Sequence, residues 1–403
     1  MGDELTYVLI TPYSLHKSRT GGIIARLLSL CPLEFVAARM YAFSDSFVDA
    51  YRQTLALEDM PEEIRRGLDQ YVNDILRRRN RFGISNRAML LLFRGPDAVR
   101  ALRDEAVGPI SPDVKGDTVR GTYGDVAMAG PGEFEFFEPA VLAPTTHAAN
   151  DAQLRLLARF AESDGGVLTH VLKFPPGANV ETTLVIIKPD NFARRSSRPG
   201  NIIDVFSRTG LFIVGARVLQ MSTAMAEEFY RPLRAAFVER LKGNLAERLR
   251  HAVQQTIRLN PTDEQAAALA EVLKEAYAEQ EFRKIVNYMS GEGGELESPG
   301  WARKRAPCMA LLYQGVNAIQ KIRDRLGATN PQEAREGTVR SSYGHDLMRN
   351  GAHASDSPEN AERERRILGL WEEEGKSDVH MLIEEYLGET IPSEPKTVVS
   401  RRA

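Results

Sequence analysis

The sequence has little that would place it in a specialised environment. Of 403 residues only two are cysteine, Cys31 and Cys308. Each sits in an apolar stretch with no partner at metal-ligand spacing, which argues against a disulfide framework or a cysteine-based zinc site. Two small thiols packed into a core, in a reducing compartment, is the expectation. No apolar run is long enough for a membrane helix. The opening residues, MGDELTYVLITPYS, lack the basic region and apolar core of a secretory leader. MGDELT fits the loose myristoylation pattern at Gly2 and Thr6, a match of position alone. No sign of charge dominates: the formal net charge is −3, so no global basic field draws the chain to nucleic acid or an anionic membrane. A local cluster, Arg77, Arg78, Arg79 and Arg81, reads as a solvated helix face. A cytoplasmic protein with no nucleic-acid and no membrane partner is expected.

What is present is ordinary globular material, 43% hydrophobic and 27% charged, in a chain long enough for two domains. It repeats itself. Residues 7–51 run YVLITPYSLHKSRTGGIIARLLSLCPLEFVAARMYAFSDSFVDAY, and residues 184–230 run LVIIKPDNFARRSSRPGNIIDVFSRTGLFIVGARVLQMSTAMAEEFY. Both pass from a β-branched run ending in Pro, through a polar loop and Gly-x-Ile-Ile, to a second apolar run containing Ala-Arg, and both reach a Tyr in a further helix. Downstream, LLLFRGPDAVRALRD parallels ALLYQGVNAIQKIRD, and GDTVRGTYGD parallels EGTVRSSYGHD.

The repeat divides the chain into a first copy (1–165), a linker (166–182), a second copy (183–375) and a C-terminal tail (376–403). Strands are expected at 7–11, 33–41 and 88–93, and again at 183–188, 211–219 and 308–313, with a fourth at 135–142 and 346–349. The class is α+β: two tandem ferredoxin-like (βαββαβ) sandwich domains, mainly antiparallel, with helices on one face. The second copy carries an inserted helical hairpin at 231–280, where apolar residues recur with helical spacing and Asn260-Pro261-Thr262 marks a stop and a new N-cap. GEGGELESPGWARKR (291–305) reads as a loop. The tail holds one short helix candidate, VHMLIEEYLG, before a polar end that reads as disordered.

One segment assembles a nucleophile with its supports: RNGAHASDSPENAERERR, residues 349–366. His353 lies among small residues that leave the imidazole unshielded. Ser355, Asp356 and Ser357 precede a helix as caps. Glu364 is spaced to reach back to the ring, and a carboxylate on one ring nitrogen fixes the tautomer and raises the nucleophilicity of the other. Taken alone, this pair also reads as a satisfied structural histidine.

The segment Asn350-Gly351-Ala352-His353-Ala354-Ser355-Asp356-Ser357 resembles the Asn-x-x-His-Gly-Ser-Asp-Ser signature of nucleoside diphosphate kinases. Three further blocks match in family order: IIKPD (186–190), LGATNP (326–331) and EGTVRSSYG (336–344). The family fold is the ferredoxin-like sandwich. The resemblance implies that Lys188 and Asn350 bond ribose hydroxyls, and that Arg323, Thr329 and Arg340 hold the β- and γ-phosphates. It implies that Tyr230 packs beside the imidazole and that Ser355 and Glu364 orient it. The implied reaction is ping-pong transfer of a γ-phosphate to His353 and on to a nucleoside diphosphate, with Mg2+ carried by the nucleotide and Asp356 the nearest carboxylate to it. Two features depart from the family: Ala354 replaces its Gly, and Glu281-Phe282-Arg283 replaces its Pro-Phe-Phe base clamp, leaving Phe282 to stack on the base.

Laid against the second copy, the first has Thr11 for Lys188, Pro109 for Thr329, Pro144 for His353 and Arg155 for Glu364, with His147 three residues beyond. Arg103 and Arg120 remain opposite Arg323 and Arg340. The first copy therefore reads as degenerate. The alternative for the whole chain is a nucleotide-responsive pseudokinase scaffold with little turnover. Pairing of the two copies within one chain, and a homo-oligomer built from such pairs, are also expected.

Overall fold

The structure, a computed structural model, describes residues 3–113, 116–130, 133–291, 307–371 and 375–395. Gly2, the 291–305 loop beyond Gly291 and the last residues of the tail lie outside that range. The chain forms two compact units, Met1–Leu219 with Cys308–Ala403, and Gln220–Pro307.

The first unit holds both copies. The first copy runs β1 (Glu4–Ile10), α1 (Pro12–His16), α2 (Thr20–Leu30), β2 (Glu34–Ala42), α3 (Asp45–Thr54), α4 (Glu62–Ile75), β3 (Arg87–Gly95), α5 (Ala98–Ala101), α6 (Val119–Tyr123), β4 (Asp125–Gly130), β5 (Glu133–Glu138), β6 (Val141–Leu142) and α7 (His147–Arg159). The second runs β7 (Val180–Ile187), α8 (Arg198–Ser207) and β8 (Phe212–Leu219). After the insertion, α9 (Thr223–Ile257) and α10 (Asp263–Ser290), it resumes as β9 (Cys308–Val316), α11 (Ala318–Leu326), α12 (Val339–Tyr343), β10 (Ala352–Ala354) and α13 (Pro358–Ile367), with α14 (Asp378–Leu387) beyond.

Two four-stranded antiparallel sheets result, ordered β2-β3-β1-β6 and β8-β9-β7-β10. This is the strand order of the ferredoxin-like sandwich, formed twice. The central strands β3 and β9 are buried along nearly their whole length, so they read as continuous apolar runs rather than alternating ones. Both thiols are buried, and burial pushes Cys31 up to about 11 and Cys308 to about 12.

Three features differ from the sequence reading. The expected strand at 346–349 is a bend region, and the fourth strand is β10, which follows the sharp turn at Gly351. The expected strand at 135–142 is instead split: β5 pairs with β4 in a separate hairpin, and only β6 joins the sheet. Of the tail expected to be disordered after its helix, residues 388–395 pack on the first copy, with Glu394 paired to Arg159, while residues 396–403 lie outside the described range. Helix α14, with Val379 and Ile383, and Ile391 just beyond it close the first copy's core, and buried His380 joins Glu162 (2.9 Å) and the Ile391 carbonyl (3.0 Å).

The two copies meet through equivalent elements. Helices α2 and α8 touch at Gly21 and Gly200, where a Cβ on Gly200 would fall 2.2 Å from the Gly21 carbonyl oxygen. Only glycine permits that approach. The linker is sewn to the edge strands of both sheets: Gly166 N–H donates to Met40 O (2.9 Å) and Leu168 N–H to Val214 O (2.8 Å). Arg87, buried, donates to the Ile213 carbonyl and lies 5.1 Å over the Phe212 ring.

The insertion is an αα-hairpin. Arg258 ends α9 in a left-handed conformation (φ 58°), and Thr262 opens α10 with a reciprocal capping box to Gln265. The sequence placed this turn correctly, but the helices run well past 231–280 on both sides. Among the described residues no helix is long and apolar enough to cross a membrane.

Candidate active site

The site grows from the register of one strand pair. His353 lies at the centre of β10, an edge strand, opposite Ile186 of β7. Lys188 follows β7 directly, and its N–H donates to Gly351 O (3.1 Å). Gly351 has φ 82°, and a Cβ there would approach Val339 Cγ1 to 3.2 Å, so a residue without a side chain makes the turn. Asn191 Nδ2 locks it by donating to Gly351 O (2.8 Å) and Lys188 O (3.1 Å).

On one side of this turn stands the histidine. Its Nε2 lies 2.9 Å from Glu364 Oε2, and Ser355 Oγ donates to the same carboxylate oxygen at 2.6 Å. Glu364 projects from α13 and is buried; His353 keeps 22% of its side-chain surface exposed, enough to meet a ligand. Burial alone would raise the Glu364 carboxyl. The His353 ring, the two hydrogen bonds and Arg363 outweigh it and hold the group below its ordinary value, ionised.

On the other side Lys188 Nζ donates to Asn350 Oδ1 (2.7 Å) and Met348 O (2.9 Å). Asn350 Nδ2 donates to Thr329 O (3.1 Å) and Leu347 O (3.0 Å), which ties the 326–331 loop to the histidine loop. Burial, with the positive Arg340 nearby, lowers the Lys188 ammonium to about 8. Arg340 NH1 donates to Gly327 O (2.9 Å). Arg323 and Thr329 are exposed, and among the described residues their side chains have no partner.

The structure thus brings together His353, Ser355, Glu364, Lys188, Asn350 and, through backbone bonds, the loops of Thr329 and Arg340. Tyr230 and Phe282 belong to the other unit, Gln220–Pro307, and both are buried. Tyr230 packs edge-on against Phe229, and Arg234 lies 5.9 Å from the Phe282 ring. Asp356 accepts from Asn360 Nδ2 at 2.7 Å.

Two contributors were missed in the sequence. Asn191 is one. The other is Arg198, which donates to Asn191 Oδ1 (3.2 Å) and Tyr343 O (2.6 Å) and so links the Arg340 helix to the histidine turn. The repeat carried a signal for it: Arg19 in the first copy donates to Tyr123 O in the same way (2.7 Å).

The first copy shows what replaces the site, and two of its expected equivalences need correction. In the β-ladder Leu142 pairs with Leu9 as His353 pairs with Ile186, each two residues before Thr11 or Lys188. Leu142, not Pro144, therefore holds the histidine's place, and Pro144 aligns with Ser355. The helix caps Thr146 and Ser357 agree, and they set Gln153, not Arg155, opposite Glu364. The ungapped count along the helix slipped by two residues because it ignored the caps. Arg155 is a surface residue paired with Glu389. Arg120 keeps the placement of Arg340, donating to Gly108 O (2.9 Å). The β4–β5 hairpin, inserted just before the histidine position, packs Phe134 and Phe137 edge-to-face and ends in buried Glu138. Glu138 accepts from Thr11 Oγ1 (3.2 Å) and Tyr71, and burial raises it to about 7.

A doubled ferredoxin-like sandwich with a carboxylate-braced histidine on the edge strand of its second sheet defines the class of protein. The comparisons with known proteins give the family. The model described as Nucleoside diphosphate kinase matches residues 181–243 and 234–370. A nucleoside diphosphate kinase of Halorhodospira halophila is 31% identical over 185 residues, 46% of this chain and 89% of the relative. One from Archaeoglobus fulgidus is 30% identical, over 46% of this chain and 83% of the relative. A solved structure of an NDP kinase from Pyrobaculum aerophilum is 29% identical over 47% of this chain and 94% of that one, with a TM-score of 0.31. The chain belongs to the nucleoside diphosphate kinase family, and the match falls on its second copy.

Proposed function

We propose that the second copy transfers the γ-phosphate of a nucleoside triphosphate to a nucleoside diphosphate in two steps through His353. The observation that carries this reading is the Nε2–Glu364 bond. It supports attack on phosphorus by Nδ1 and would stabilise the positive charge the ring gains. In the first step an N–P bond forms at Nδ1 while the bond between the γ-phosphorus and its bridging oxygen breaks, and the nucleoside diphosphate leaves. In the second, an acceptor's terminal phosphate oxygen attacks the phosphohistidine and restores the ring. Arg323, Thr329 and Arg340 receive the charged oxygens, and Lys188 and Asn350 take the ribose hydroxyls. Magnesium arrives as part of the nucleotide substrate. The first copy keeps the scaffold without a nucleophile.

The test is incubation with γ-labelled ATP. The wild-type chain takes up acid-labile, alkali-stable label that a nucleoside diphosphate removes as labelled triphosphate. A chain that binds nucleotide but takes no label is the scaffold of the alternative reading.

A further inference from the structure

The inserted hairpin carries a surface that the described residues leave bare. Among the described residues eight large hydrophobics are exposed, and five of them fall between Ile257 and Leu273. Ile257 is 70% exposed, Leu259 60%, Leu269 42%, Val272 80% and Leu273 41%. On α10, Leu269, Val272, Leu273 and exposed Ala276 recur at helical spacing, so they form one stripe. Ala266, Ala270 and Ala278 are buried, so the stripe is a second apolar face. Scattered single apolar residues are normal on a surface; a continuous stripe is not.

Charge is segregated around the stripe. From Arg248 to Leu259 the end of α9 and the turn hold Arg248, Arg250, His251 and Arg258 and no acid. From Asp263 to Ala276 the start of α10 holds Asp263, Glu264, Glu271 and Glu275 against a single cation, Lys274. Within the chain Arg250 pairs with Asp263 and Lys274 with Glu271. Arg258, Glu264 and Glu275 make no side-chain ion pair among the described residues.

We infer that this face docks on the same face of a second copy of this chain, the two hairpins forming a four-helix bundle about a two-fold axis. A two-fold interface needs a surface complementary to itself. A basic segment at the end of α9 and an acidic segment on α10 beside the apolar stripe meet that need: the acidic start of α10 faces the basic end of the partner's α9, twice. The stripe then becomes the bundle core.

The test uses the full chain at micromolar concentrations in sedimentation velocity. Wild type is expected to form dimers, and the double variant L269K/V272K to sediment as a monomer with unchanged helical circular dichroism. Both substituted positions are solvent-exposed, so the fold should tolerate the lysines. The charge variant E264K/E275K should weaken dimerisation at least tenfold, and added salt should weaken the wild-type dimer. A monomeric wild type would hand the face to a different partner and overturn the inference. Dimers that persist in L269K/V272K, or a charge variant with undiminished affinity, would overturn it as well.

Discussion

Gln153 occupies in the first copy the place that Glu364 occupies in the second, each two turns past its helix N-cap, Thr146 or Ser357. The carboxylate braces a histidine; the amide joins a closed network. Gln153 Oε1 accepts from Tyr7 (2.8 Å), and its Nε2 donates to Glu58 (2.7 Å) and Thr54 (3.2 Å). Tyr7 also meets Tyr51 at 2.7 Å. Restoring the two missing groups should therefore not restore the site. In a His353→Ala background, Leu142→His with Gln153→Glu is expected to take up no acid-labile label, because Thr11 replaces the lysine and the β4–β5 hairpin remains. Stoichiometric phosphohistidine in that protein would contradict the account.

His353→Ala should abolish phosphate exchange and leave circular dichroism unchanged, since the ring is partly exposed and the proposed transfer passes through its nitrogen alone. Glu364→Gln should lower exchange by at least about tenfold, because a neutral amide stabilises the charged ring less. Exchange that survives His353→Ala at more than a small percentage would remove the nucleophile assignment.

Lys188 gives the site a pH limit. Its folded value of about 8 lies below the ordinary 10.5. Between those values the unfolded chain holds a proton that the folded chain lacks, so the contribution of this group to stability rises with pH there. Nucleotide binding at the proposed site is expected to move the other way, because the neutral amine loses its charge. KM for the nucleoside diphosphate is expected to rise from pH 7 to pH 9 in wild type and to stay flat in Lys188→Gln. The same rise in both proteins would rule Lys188 out as the cause.

Gly200→Ala should destabilise the first unit by on the order of 3 kcal/mol, because the added methyl meets the α2 backbone rather than a side chain that can turn away. Thermal melting reads the effect. A related expectation concerns the isolated fragment 176–403, which exposes the faces of α8 and β8 that α2, β2 and the linker cover. It should melt lower than the whole chain or self-associate. A stable, active, monomeric fragment would show that the first copy is not a structural partner.

The repeat, the order of elements along the chain and the histidine segment were legible because each is written locally. A strand shows as an apolar run, a helix start as Ser or Thr, a candidate nucleophile loop as a histidine among small residues. What escaped depended on pairing. The fourth strand could not be placed from composition because its three residues, Ala352, His353 and Ala354, are held by the ladder to β7 rather than by propensity. The same ladder, not the ungapped alignment, identifies Leu142. Asn191 and Arg198 act through carbonyls distant in sequence, Gly351 and Tyr343, and no local pattern announces such bonds. The packing of α14 and Ile391 rests on core residues more than two hundred positions earlier in the chain, which helical periodicity alone does not reveal.

That last arrangement sets the sequence of events at the ribosome. Val379, Ile383 and Ile391 belong to the hydrophobic core built by β1, α3, α4 and α7. The first copy is thus completed after the second, although it is translated before it, since its apolar surface stays open until the residues after the second copy have emerged. A nascent chain that has emerged from the ribosome only as far as residue 377 would hold a finished second sandwich beside an unfinished first one, and a chaperone that recognises exposed apolar surface would find it there.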